Sequence, residues 1–171
     1  MAKQIMAIVS ISVFLMLAGL ALRAWRKRAS DQAAEFSPPL EALEYFGQLL
    51  VQAKAFYVAT THAANHLERI NAYGLGARGI AQVLVFTEGV LIVRNGERPL
   101  AIDRTDLVSI EFTQVAIDKA VEPDGLVSVS WIQDGVSLAT QLRIVDAGDR
   151  TIISEALKQI IGSNTKREVV K

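Results

Sequence analysis

Between Lys3 and Arg23 the chain reads QIMAIVSISVFLMLAGLAL, nineteen residues without a charge. As a helix it extends about 28 Å, close to the hydrocarbon thickness of a bilayer. Ten of the nineteen are Ile, Leu, Val or Phe, each contributing about −0.3 to −0.6 kcal/mol to insertion. Ser10 and Ser12 can bond back to helix carbonyls and weaken the run little. A core helix needs a polar face, which this run lacks. A signal peptide is the weaker reading: Gly19-Leu20-Ala21 offers small residues for cleavage, but the run exceeds an ordinary h-region and four cations follow it. Ile5 to Leu22 is therefore expected to span a membrane. With no small-xxx-small pair along it, a plain anchor is expected rather than a dimerising helix.

Charge sets the expected orientation. The flank after the run carries Arg23, Arg26, Lys27 and Arg28, against Lys3 before it. The more basic flank stays in the cytoplasm. Trp25 suits the headgroup layer, and the four cations suit anionic lipids. This predicts a single-pass inner (cell) membrane protein, N-terminus outside and the rest cytoplasmic. The net charge of zero hides an uneven distribution: residues 40–162 hold ten Lys and Arg against fifteen Asp and Glu. A basic collar precedes an acidic body. That body has no basic face for nucleic acid, and an anionic leaflet repels it. The chain has no cysteine, which excludes disulfides and thiolate zinc sites.

The organisation expected is an anchor with its basic flank at 1–28, a linker at 29–39, a folded domain at 40–162 and a flexible tail at 163–171. Pro38-Pro39 closes the linker, and Ser37 is placed to cap a short helix through LEALEYF. AFYVATT reads as a strand. NHLERINAYGLG has capping-box spacing between Asn65 and Glu68, with Gly74 as helix terminator. Strands follow in GIAQVLVF, VLIVR, PLAI, DLVSIEF, LVSVSWIQ and VSLATQLRIV. Turns are expected at Thr87-Glu88-Gly89, Asn95-Gly96, Asp124-Gly125 and Asp134-Gly135. Val136, Leu138, Leu142 and Ile144 share a face. About seven short strands imply an antiparallel barrel or sandwich. RTIISEALKQII carries an apolar stripe from Ile152 to Ile161, with Asp149 as cap and Gly162 as terminator. Such a helix covers the open end of a barrel.

Seven antiparallel strands and a covering C-terminal helix resemble a pleckstrin-homology-like (PH-like) domain. YVATT, LERINAYGLGARGIA, GVLIVRNGE, WIQDG and QLRIV, behind the anchor, resemble the actinobacterial single-pass membrane proteins with such a domain. The resemblance implies an α+β, mainly antiparallel barrel and no catalytic motif.

No segment carries recognisable chemistry. GLGARG matches G-x-G-x-x-G, but a dinucleotide site needs a strand before the glycines and a helix after; here the order is reversed. His62 and His66 lack the H-E-x-x-H general base, with Ala63 in its place. Asp103, Asp106 and Glu111 are read as solvated strand-end carboxylates. No catalytic residue, metal ligand or cofactor is expected. Headgroup binding needs several converging cations; the loop offers Arg69 and Arg78, and IAQVLVF offers none. The expected function is a non-catalytic protein-interaction or scaffold module, or an accessory subunit of a membrane complex, with an unknown protein partner. Its alternative is a lipid-sensing module, and an enzyme comes third.

Overall fold

The structure, a computed structural model, describes residues 2–113 and 125–168. One long helix, α1 (Ala2–Ala33), leads into eight strands and a final helix, α2 (Ala147–Glu168). The strands are β1 (Leu49–His62), β2 (Asn65–Arg69), β3 (Gly79–Phe86), β4 (Gly89–Arg94), β5 (Leu100–Asp103), β6 (Leu107–Thr113), β7 (Leu126–Gln133) and β8 (Val136–Arg143). All pair antiparallel in the order β5-β4-β3-β1-β8-β7-β6, and β2 pairs with β1 alone.

β1 joins the two halves of the sheet. Its first part pairs with β3 and its second with β8, with a register shift between Tyr57 and Ala59. An extra residue at such a bulge bends a strand, so one chain segment serves both halves. Alternation places Ala81, Val83 and Val85 of β3, Val127, Val129 and Trp131 of β7, and Leu138 and Leu142 of β8 in one core. Ile144 is also buried, and Val136 packs against the same cluster. From α2, Ile153, Leu157 and Ile160 complete it, while Ile152 faces solvent. The covering helix and the antiparallel sheet are as expected. The sheet is not a closed barrel, however: β5 and β6 end it without pairing to each other.

Several local expectations are corrected. LEALEYF forms no helix: Leu40 bridges to Ala101 beside β5, Leu43 is buried, and Ser37 donates its amide and hydroxyl to Asp134 instead of capping. Leu43 lies over Gly89, where a Cβ would stand 2.7 Å from the Leu43 methyl. NHLERINAYGLG is β2 followed by a single 3-10 turn at Ala72–Gly74. There Asn65 accepts from the Leu67 amide, two residues on, and Arg69 pairs back to Thr61. The cap of α2 is Asp146, which accepts from the Asp149 amide at 2.9 Å. Gly162 does not end α2, which continues to Glu168 through much of the expected tail; residues 169–171 lie outside the described residues. The expected linker is helical as far as Ala33, and its Gln32 and Phe36 are buried. Asn95-Gly96 and Asp134-Gly135 are turns as expected, with positive φ at Gly96, Asp134 and Gly135. Of the Asp124-Gly125 turn, Asp124 lies outside the described residues.

Candidate functional site at the junction of the long helix and the sheet

Arg23, Trp25, Arg26, Lys27 and Arg28 are all exposed on α1. At 100° per residue, Arg23, Arg26 and Lys27 cluster on one face, while Trp25 and Arg28 share the opposite face with Gln32. The second face meets the domain. Gln32 gives its amide N–H to the Arg69 carbonyl at 3.0 Å and accepts from the Asn71 amide at 2.7 Å. Tyr73 shares its one hydroxyl proton between the Ala33 and Phe36 carbonyls, both at 2.9 Å, and its ring stands edge-on to Phe36. Glu35 approaches His62 at 3.5 Å. The last turn of α1 is thus fixed by the segment between β2 and β3, and Arg23, Arg26 and Lys27 are left facing away. The sequence reading found the collar but missed Gln32, Phe36 and Tyr73, whose partners lie some forty residues away in the chain.

Beside this junction a cavity of about 410 Å³ opens between residues 38–41, the 3-10 turn and the β4–β5 connection. Arg94 reaches it from the end of β4, only 5% exposed. Its guanidinium donates from Nη1 to the Gly74 carbonyl at 2.7 Å, and from Nη2 and Nε to the Arg98 carbonyl at 2.7 and 3.2 Å. It also stacks on the Tyr57 ring, 4.8 Å from its centroid. Gly74 has φ +70°, which turns its carbonyl to this use and suits a residue without Cβ. Among the described residues no carboxylate lies within ion-pair distance of Arg94. Arg98 itself pairs with Glu41 at 3.0 Å on the surface.

Behind Arg94 is a buried polar chain. Tyr57 donates to the Leu75 carbonyl at 2.8 Å and meets the Thr60 hydroxyl at 2.7 Å. Thr60 meets Thr140 across the strands at 2.8 Å, and Trp131 donates its indole N–H to Thr140 at 3.0 Å. Burial pushes the Tyr57 phenol up to about 12, so it stays neutral and acts as donor. Every member has a partner, which makes the network a rigid floor.

The other sequence candidates do not converge. His62 ends β1 and His66 lies on β2, so no helix face aligns them. Asp103 caps the short turn before β6 through Thr105, and Asp106 is raised by burial, then by the charges of Asp103 and Asp134. Glu111 is exposed on β6. Among the described residues, no three His, Asp or Glu side chains gather as metal ligands. GLGARG runs from the 3-10 turn into β3, the reversed order expected from the sequence.

Comparison with known proteins matches residues 37–158 to a family described as bacterial PH domain-like. No curated protein matches the chain. Similar solved structures include a chain of the 8S snRNP assembly intermediate, at 9% identity and TM-score 0.48, covering 73% of this chain and 89% of that one. Another is Vav1 inhibited by an allosteric inhibitor, at 10% identity and TM-score 0.45, covering 79% of this chain and 34% of that one.

Proposed function

The chain belongs to the bacterial PH domain-like family, and on that premise we propose that it is a single-pass inner-membrane protein whose cytoplasmic PH-like domain docks another protein without catalysis. One observation carries the reading. α1 is long and apolar enough to cross a membrane, and none of its apolar window is buried by the domain. Among the described residues the domain holds it by hydrogen bonds at Gln32 and Ala33, and Gln32 lies about 15 Å beyond Leu22 at 1.5 Å per residue. That distance clears a headgroup layer several ångströms deep. Arg23, Arg26 and Lys27 then sit at headgroup level on the face the domain leaves open, about 1 kcal/mol each toward an anionic leaflet. Their excess over Lys3 supports N-terminus outside, domain inside.

For docking, the two sheet edges differ. The β5 edge is met by Leu40, whereas among the described residues β6 ends the sheet unpaired, with Val108 and Phe112 at 50% and 41% exposure beside α2. An open edge next to a helix accepts an extended peptide by strand addition. Tethering concentrates this edge near membrane partners.

A cysteine placed at Asn95 in the full chain tests the topology: labelling from the cytoplasmic side is expected, and labelling only from outside overturns it. Affinity purification with the anchor intact, compared with Phe112→Asp, tests the docking edge. Loss of a specific co-purifying protein in the variant is expected. Flotation of a fragment from Pro38 onward with anionic liposomes would instead favour the lipid-sensing reading.

A further inference from the structure

We propose that the cavity beside Arg94 binds a monocarboxylate carried on an apolar body, the guanidinium gripping its two oxygens. A guanidinium has five N–H donors in a planar fork. Three of Arg94's bonds go to the Gly74 and Arg98 carbonyls, which leaves two N–H groups without a carbonyl, beside the Tyr57 side chain; two is the number a carboxylate takes. Among the described residues Arg94 is held directly by carbonyl dipoles and a neutral ring, with no carboxylate at ion-pair distance, and a ligand carboxylate supplies that direct contact. The remaining wall suits an apolar body: Pro38, Pro39, Tyr73, Leu75, Pro99 and Leu100 line it.

The direct contact with Arg94 calls for an anion, and the charge balance of the cavity limits it to a single negative charge. Arg94 and Arg98 face the cavity together with Glu41 and Glu97, two cations against two carboxylates. A phosphate dianion needs more cations than this and meets two like charges. The Arg98–Glu41 pair lies at the rim, exposed at 78% and 55%, so it can open to admit a ligand at little cost. One wall, residues 38–41, comes from the segment joining α1 to the sheet, so occupancy touches the same strip of chain that fixes the junction.

Two sources offer this chemistry: a free small acid, or the C-terminus of a protein chain. The second deepens the docking reading above and rests on it. Full-length protein in nanodiscs is titrated with hexanoate, N-acetyl-alanyl-leucine, its C-terminal amide and inorganic phosphate, and the Arg94 Nε–H resonance is followed. Both acids are expected to shift it, with the amide and phosphate about 10–100-fold weaker, the loss of a charge-assisted bidentate contact. Tighter binding of the dipeptide identifies a protein C-terminus, and tighter binding of hexanoate a free acid. Equal binding of dipeptide and amide, or no shift with either acid, overturns the proposal.

Arg94→Lys keeps the charge without the fork and is expected to weaken acid binding at least about tenfold. Should that variant fail to fold, Pro39→Trp fills the cavity with Arg94 in place; acid binding at the wild-type level in a folded Pro39→Trp overturns the proposal. Phe112→Asp is expected to leave acid binding unchanged, which separates this site from the β6 edge.

Discussion

α1 and α2 are both helices rich in Ile, Leu and Ala, yet they are held to the sheet by opposite means. α1 presents apolar side chains all round, with Ile8, Phe14, Leu15 and Leu20 more than half exposed, and among the described residues it is held to the domain near its C-terminal end, by Gln32 and by the packing of Ala33. α2 keeps most of its apolar residues on one stripe, burying Ile153, Leu157 and Ile160 completely or nearly so and leaving Ile152 exposed at its margin. The contrast lies first in hydrophobic content, since residues 4–22 of α1 carry no charge whereas α2 carries seven, and then in where the apolar side chains sit. A stripe finds its partner within the chain, whereas an all-round apolar surface needs a solvent that is itself apolar. One helix is therefore part of the core, and the other is joined to it by a few hydrogen bonds.

The largest effects should fall on α2. Leu157→Ala removes a fully buried side chain and is expected to cost about 2–5 kcal/mol, read by denaturant unfolding of the domain. The matching change in α1, Leu15→Ala, should leave that unfolding within about 0.5 kcal/mol. Leu15→Arg should also spare the domain while weakening membrane insertion by about 2.5–3.5 kcal/mol, read by fractionation after carbonate extraction. If Leu15→Ala unfolds the domain as Leu157→Ala does, the two helices are not different in kind.

A smaller effect belongs to the junction. Gln32→Ala strips the Arg69 carbonyl and the Asn71 amide of their partner, at about 1–3 kcal/mol. Because those groups hold only the last turn of α1, the loss should appear as faster hydrogen exchange at Asn71, with Val83 and Val129 in the core unchanged. Equal loss of protection at Val83 would mean that the junction is part of the core after all.

Strands and turns were legible because their determinants are local. Ala81, Val83 and Val85 alternate with exposed or half-exposed neighbours, and Asn95-Gly96 and Asp134-Gly135 supply the positive φ their turns require. The two mistaken helices, at 40–46 and 65–74, carry real capping patterns, but the pairing of Leu40 to Ala101 and of Arg69 to Thr61 overrides them. Those partners are distant or face-dependent, so local spacing holds no trace of them. Closure failed for a similar reason, since seven strands fit an open sheet as well as a barrel. The long apolar helix and its basic collar were legible directly, but not which face of the collar meets the domain, because that depends on Gln32 finding Asn71. Arg94 is a different case. Val90, Ile92 and Arg94 form an i, i+2, i+4 series, all buried, so the alternation already pointed the arginine inward. What holds the arginine there is not local, since Gly74 lies twenty residues before it.

The smallest effect concerns the far side of the junction, where Ser37 ties the segment after α1 to the β7–β8 turn. The Ser37 hydroxyl and amide, at 2.5 and 2.7 Å from Asp134 Oδ2, hold that carboxyl below its ordinary 3.8, the hydroxyl contributing most. Folding therefore favours the ionised form. The stability this adds is complete above the unfolded value near 3.8 and is lost as the pH falls through the lower folded value. Asp134 is solvent-exposed, so the effect is small and screened by salt. Ser37→Ala keeps the amide bond and removes the hydroxyl, so Asp134 should titrate closer to 3.8 and the acid limb of stability should flatten. Carboxyl-carbon NMR titration of Asp134 reads the first, and urea unfolding below pH 4 reads the second. An unchanged titration in Ser37→Ala would leave the amide as the sole tie. The tie from this segment to the β7–β8 turn would then run through the backbone, and the side-chain hold on the junction would rest with Gln32, Phe36 and Tyr73.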